Sequence, residues 1–178
     1  STLKELNYSS NPLMRLPTTL PPTLISLSCG LTGKLLPKLP STLKKLACIG
    51  NDLENLPTLP STLVSLTCAY NSLETLPTLP STLVYLNCSS NILDNLPALP
   101  SHLLDLDCSD NAFEHLPALP SHLLNLRCSE NELTRLPKLP PTLKVLYCAV
   151  NFIEQLPNPL PPTLKELDCD ASIDLPPL

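Results

Sequence analysis

The chain has 178 residues, within the range of one ordinary domain, with 23 prolines, only 3 glycines, 2 phenylalanines, 4 tyrosines and no tryptophan. A formal net charge of −5 leaves no basic stripe to neutralise phosphates, which argues against a nucleic-acid partner. No apolar run approaches the roughly 18 residues needed to span a bilayer, and no charged-then-apolar leader opens the chain. Proline at this density would suit a disordered or polyproline segment. Against that, 43% of the residues are hydrophobic, and the leucines recur at fixed intervals. Such a chain can bury apolar surface, provided its fold tolerates a proline every few residues.

In chain order, the first block carries Tyr8 where later blocks carry cysteine and has an extra residue near Thr18–Thr19; the second is one residue short around Gly30–Gly33. Five blocks headed by Ser41, Ser61, Ser81, Ser101 and Ser121 then align without a gap. In each, a first leucine (Leu43, Leu63, Leu83, Leu103, Leu123) is followed three residues later by a second (Leu46, Leu66, Leu86, Leu106, Leu126). Cysteine comes two further on, at Cys48, Cys68, Cys88, Cys108 and Cys128, and then asparagine at Asn51, Asn71, Asn91, Asn111 and Asn131. An apolar residue and a tail such as Leu56-Pro57-Thr58-Leu59-Pro60 close each block. The block from Pro141 repeats this with Leu143, Leu146, Cys148, Asn151 and Ile153, and lengthens at Asn158-Pro159. The last, with Leu164, Leu167 and Cys169, shortens over Asp170–Leu178 as a fade-out. Because Ser1 already lies inside a repeat, the chain is expected to be an excised or processed fragment lacking its N-terminal cap.

The pattern L-x-x-L-x-C-x-x-N-x-L matches the leucine-rich-repeat signature, with cysteine in a slot usually filled by leucine. With its L-P-x-L-P tail, the chain resembles the short bacterial repeats of the IpaH/YopM group of secreted effectors over essentially its whole length. It departs from that group in its inward cysteines and in lacking the N-terminal helical segment. The expected fold is a leucine-rich-repeat horseshoe: one domain over residues 1–178, about eight repeats of roughly 20 residues plus a shortened last one.

Residues such as Lys45-Leu46-Ala47 should form short strands with alternate side chains on opposite faces. Leu46 and Cys48 then point inward, while Lys45 and Ala47 point to solvent. Stacked coils place these strands side by side and parallel, about 4.8 Å apart. Proline fixes φ and donates no backbone hydrogen bond, so the convex return should be extended and not helical. Each asparagine is expected to bond backbone groups of the turn. The coil cannot bury its leucines alone, so stability must come from neighbours.

Eight cysteines raise the alternatives of a disulfide framework or a thiol metal site. All occupy one inward slot, so their sulfurs should run in a row near the strand spacing. A disulfide needs Cβ atoms about 3.8 Å apart, and zinc needs ligands that converge at about 2.3 Å. The row does neither, so free, buried, reduced thiols without metal or other cofactor are expected.

Solvent-facing strand positions vary while the framework does not. The candidate partner-binding residues are Tyr85, Asp105, Asp107, Asp110, Asn125, Arg127, Glu130 and Tyr147, all expected on the concave face. Tyrosine and arginine are enriched at interface hot spots, and the acids would steer a basic partner. Asp105 and Asp107 are expected to be solvated. The apolar row Val64, Val84, Leu104 and Leu124 would extend that site, mediate weak self-association, or be partly buried against neighbouring turns. His102 and His122 replace threonines such as Thr62 and Thr82 and read as surface variation; His115 follows Glu114 near a turn. No serine or cysteine has a histidine placed as its base, and no catalytic residue is expected. Cys169-Asp170 is similar to the catalytic cysteine motif of the ubiquitin-ligase domain found beside such repeats, yet Cys169 is in repeat phase and so structural.

The resemblance implies a bacterial virulence protein secreted into the host-cell cytoplasm that binds a partner protein; from the residues, a monomer or weakly self-associating chain with no membrane partner is expected. Two alternatives stand beside it: the substrate-selecting part of a ubiquitin ligase whose catalytic domain lies elsewhere, and a surface protein of the adhesin type.

Overall fold

The computed structural model describes residues 2–9, 16–30 and 35–173. Ser1, most of the shortened stretch around Gly30–Gly33 and the tail from residue 174 fall outside the described residues. Nine short strands follow one another in sequence: β1 (Glu5–Tyr8), β2 (Ser26–Cys29), β3 (Lys45–Ala47), β4 (Ser65–Thr67), β5 (Tyr85–Asn87), β6 (Asp105–Asp107), β7 (Asn125–Arg127), β8 (Val145–Tyr147) and β9 (Glu166–Asp168). They form a single parallel sheet in chain order. No helix occurs among the described residues.

Register is set by leucine. Leu46 pairs with Leu66, Leu66 with Leu86, and so on to Leu167, so the same repeat position stacks in every coil. A slip of one residue would turn these buried leucines to solvent, which fixes the pairing. Leu43, Leu46, Leu53 and their counterparts in the next coils are fully buried, and Phe113 takes one leucine slot with no exposure at all. The cysteines run beside them: Cys29 to Cys148 are buried and form no disulfide, and Cys169 is half-buried. The flanking strand positions are largely half-exposed, giving the pattern expected of one dry and one wet face.

Beyond each strand the parallel ladder continues through the turn. Cys68 N–H donates to Asn87 O at 2.8 Å, Tyr70 N–H to Ser89 O at 3.0 Å and Asn71 N–H to Ser90 O at 3.1 Å. The turn requires a left-handed residue just before each asparagine. Gly50, Tyr70, Ser90, Asp110, Glu130 and Val150 all have φ between 53° and 65°. Only the first is glycine; the rest hold a conformation that L residues avoid.

The asparagine row holds adjacent coils together. Asn71 Nδ2 lies 2.8 Å from Cys48 O in the preceding coil and 3.0 Å from both Cys68 O and Ala69 O in its own. Its Oδ1 accepts from Asn51 N–H and Leu53 N–H, each at 3.0 Å. Asn91, Asn111, Asn131 and Asn151 repeat the amide contacts, with each Oδ1 accepting from one N–H, that of the apolar residue one coil back. In the last coil Asp170 does related work, its carboxylate accepting from Val150 N–H at 2.8 Å and Asn151 N–H at 3.3 Å.

A second row lies at the other edge of the sheet. The Thr62 hydroxyl sits 2.7 Å from Ser41 O and 2.8 Å from Leu43 O, one coil back, and Thr42, Thr82, Thr142 and Thr163 do likewise. His102 and His122 therefore replace a bridging group, and are more than surface variation. Next in sequence, Val64, Val84, Leu104 and Leu124 are half-buried, as the packing alternative required. Their carbonyls each accept two N–H groups from the next coil, as Val64 O does from Val84 and Tyr85.

Candidate functional site

The concave face is built by the first and third residues of each strand. Tyr85, Asp105, Asn125, Val145 and Glu166 lie side by side in one row. Asn87, Asp107, Arg127, Tyr147 and Asp168 form the other. Six of the eight sequence-derived residues therefore share one continuous surface. Asp110 and Glu130 do not: they occupy the left-handed turn position beyond the strands, exposed on the lateral rim. Strands only three residues long end before them, which corrects their expected placement.

The rows are tied together by side-chain contacts. Arg127 Nη1 reaches Asp105 Oδ1 at 3.3 Å, one coil back and diagonally across the face, while the guanidinium carbon lies 5.5 Å from the centre of the Tyr147 ring. Asn125 Nδ2 donates to the other Asp105 oxygen at 2.6 Å. The Tyr147 hydroxyl donates to Glu166 Oε2 at 2.7 Å. That hydrogen bond, the Glu166 charge and local desolvation raise the Tyr147 phenol above its ordinary value, although Arg127 opposes them. With exposures of 36% for Arg127 and 23% for Asp105, this ion pair is partly shielded and is held by a ring on one side and an amide on the other. Such a fixed array loses little side-chain entropy when a partner docks.

Asp107 has a different occupation. Its Oδ1 accepts from Ser109 N–H at 3.2 Å, as Asn87 Oδ1 does from Ser89 N–H at 3.0 Å, and Asn87 Nδ2 lies 3.4 Å from Asp107 Oδ2. The two aspartates are thus separately partnered, which corrects the expectation that both are simply solvated. Glu166 and Asn87 lie in these face rows and are not among the sequence-derived residues. Nothing in one coil announces that Glu166 receives a phenol from the coil before it. Towards the N-terminal end lies a shallow hollow of about 290 Å³ lined by Ser9, Ser28, Cys29, Ala47 and Ile49.

From Cys48 to Cys148 the cysteines lie in the core, away from this surface. Burial is the largest cause that pushes the thiols from Cys48 to Cys128 far up, with neighbouring thiols adding to it in most coils. Cys148 is pushed up to about 12 by burial and by Cys169. Thiolate, the reactive form, is therefore suppressed from Cys48 to Cys169. Several thiols point at a carbonyl of the next coil, as Cys108 does at Arg127 O, 3.5 Å away. No group of three or more His, Cys, Asp or Glu side chains that could hold a metal occurs among the described residues.

A nine-stranded parallel stack with an asparagine row and proline-rich returns is a leucine-rich-repeat solenoid. YopM from Yersinia enterocolitica superposes with a TM-score of 0.91 at 39% identity, over 94% of this chain and 37% of that one. YopM from Yersinia pestis does so at 0.80 and 32% identity, over 95% of this chain and 54% of that one. A Shigella effector leucine-rich-repeat domain matches at 0.78 and 32% identity, over 88% of this chain and 72% of that one. The chain belongs to this bacterial leucine-rich-repeat family of effector type, and its fold is that of a protein-interaction module. It spans well under two thirds of either YopM chain. No protein-family model and no curated protein sequence matches it.

Proposed function

We propose that the chain is a single recognition domain that binds a basic surface of a partner protein on the C-terminal half of its concave face, without chemistry of its own. The observation that carries this reading is the linked array Asn125–Asp105–Arg127–Tyr147–Glu166. It is rigid, aromatic at its centre and acidic at its margins, with Asp107 and Asp168 beside it. Arg127 is already compensated by Asp105, so the face offers uncompensated negative charge, and a basic partner is the complement. Arg127 and Tyr147 are of the types that dominate interface energetics. Asp110 and Glu130 add long-range attraction from the rim.

The test is affinity capture from host-cell lysate with the wild-type domain and with a variant carrying Tyr85→Ala, Asp107→Ala, Arg127→Ala and Tyr147→Ala, followed by titration of the captured partner. The variant should lose at least about 2 kcal/mol of binding, and binding by the wild type should weaken with added salt. Equal capture by both proteins, or affinity indifferent to salt, would show that the partner docks elsewhere.

A further inference from the structure

Two large apolar side chains, two residues apart, stand exposed on the lateral rim of the eighth coil. Val150 is 63% exposed and Phe152 is 67% exposed. Elsewhere these two turn positions combine differently: Gly50 with Asp52, Tyr70 with Ser72, Ser90 with Ile92, Asp110 with Ala112, and Glu130 with Glu132. Only this coil among them places two large apolar residues together. Val150 also sits at φ 59°, in the left-handed region that β-branched residues avoid. Neither side chain reaches the core, so folding does not account for the pair.

The surroundings indicate the occupant. Asn131 N–H donates to Val150 O, which sets Glu130 and Glu132 of the preceding coil directly alongside. On the other side the Asp170 carboxylate caps Val150 N–H. An apolar pair flanked by three carboxylates repels an anionic membrane. It also repels a second copy of itself, because a two-fold contact would set the same acids face to face. It suits an apolar side chain carried between cationic ones. We infer that the Val150–Phe152 rim is a docking site for a partner-protein segment in which leucine-like side chains are flanked by lysine or arginine. This rim lies outside the concave strands and is independent of the concave-face reading.

A labelled hexapeptide with two leucines between pairs of lysines is the probe, read by fluorescence anisotropy and by backbone amide shifts. Saturable binding is expected, with shifts centred on residues 149–153. A Val150→Asn, Phe152→Ser double variant should bind about tenfold more weakly. It should keep its fold, because asparagine tolerates positive φ and both side chains face solvent. A concave-face variant, Asp105→Asn with Glu166→Gln, should stay within about twofold of wild type. Four results would each overturn the inference: no saturable binding, equal binding by the double variant, equal binding of a glutamate-flanked peptide, or loss of binding only in the concave variant. So would dimerisation of the free protein, or its binding to phosphatidylglycerol vesicles, if the double variant abolished either.

Discussion

Replacing Asn91 by alanine should weaken the joint between coils by a measurable amount. The side chain is 8% exposed, and its amide contacts Cys68 O and Cys88 O at 3.0 Å and Ser89 O at 3.1 Å, while its Oδ1 accepts from Leu73 N–H at 3.0 Å. Ser89 O would keep its bond from Tyr70 N–H, Cys68 O that from Asn71 Nδ2 and Cys88 O that from Asn111 Nδ2, so one group, Leu73 N–H, would be orphaned. An unsatisfied buried N–H costs about 1–3 kcal/mol, so the loss is about 2 kcal/mol. For a chain of this length that lowers Tm by roughly 4–8 °C. Urea denaturation followed by circular dichroism measures it, with Asn95→Ala as the control. Asn95 is exposed and donates only to its neighbour Asp94, so its loss should cost no more than about 0.5 kcal/mol. Asn91→Asp sharpens the case. A carboxylate facing three carbonyl oxygens has its folded pKa raised, so protonation favours the native state. The stabilisation is present below the unfolded value of about 3.9 and is lost as pH rises through the folded value. The deficit of that variant relative to wild type should therefore shrink on acidification. A cost below about 1 kcal/mol for Asn91→Ala would refute the claim that the asparagine row joins the coils.

Other outcomes follow from the same geometry. Val150→Asn relieves a β-branched residue at φ 59° and should raise stability by about 1 kcal/mol, visible as a higher urea midpoint. His102→Thr and His122→Thr restore the hydroxyl that Thr82 and Thr142 place against two carbonyls one coil back, and each should add about 0.5–1 kcal/mol, measured by thermal melting. Ellman's reagent at mildly alkaline pH should modify Cys169 first and leave Cys48 to Cys128 unreacted until denaturant is added. Rapid modification of those thiols in the native protein would contradict their burial.

Much of this was legible because the repeat states its own geometry. Leucines three apart, a cysteine two further on and an asparagine after that fix which side chains point inward, and Leu46, Cys48 and Asn51 are all buried as their spacing requires. The buried thiols followed from one slot being used in every coil. What escaped is what depends on relations between coils. The sequence marks Arg127 and Asp105 as face residues, but their diagonal pairing depends on side-chain reach across a strand gap. Asp107 resembles a recognition residue, and only the turn geometry reveals it as a cap for Ser109 N–H. Asp110 was placed on the sheet by counting, and the left-handed bend that takes it to the rim leaves no glycine as a signal. Threonine at Thr62 and its counterparts looked like ordinary surface polarity, because its acceptors belong to the preceding coil.

The bridges between coils all join residues separated by about one repeat, 18 residues for Leu53 to Asn71 and 23 for Cys48 to Asn71. Set against 178 residues, that gives a relative contact order on the order of 0.1, a value found among helical bundles and not among sandwiches or barrels. An all-β protein built this way closes the same modest loop each time a coil is added, with no long-range closure left for the end. Its folding should accordingly be quick for a sheet protein, and appending coils should leave the rate nearly unchanged.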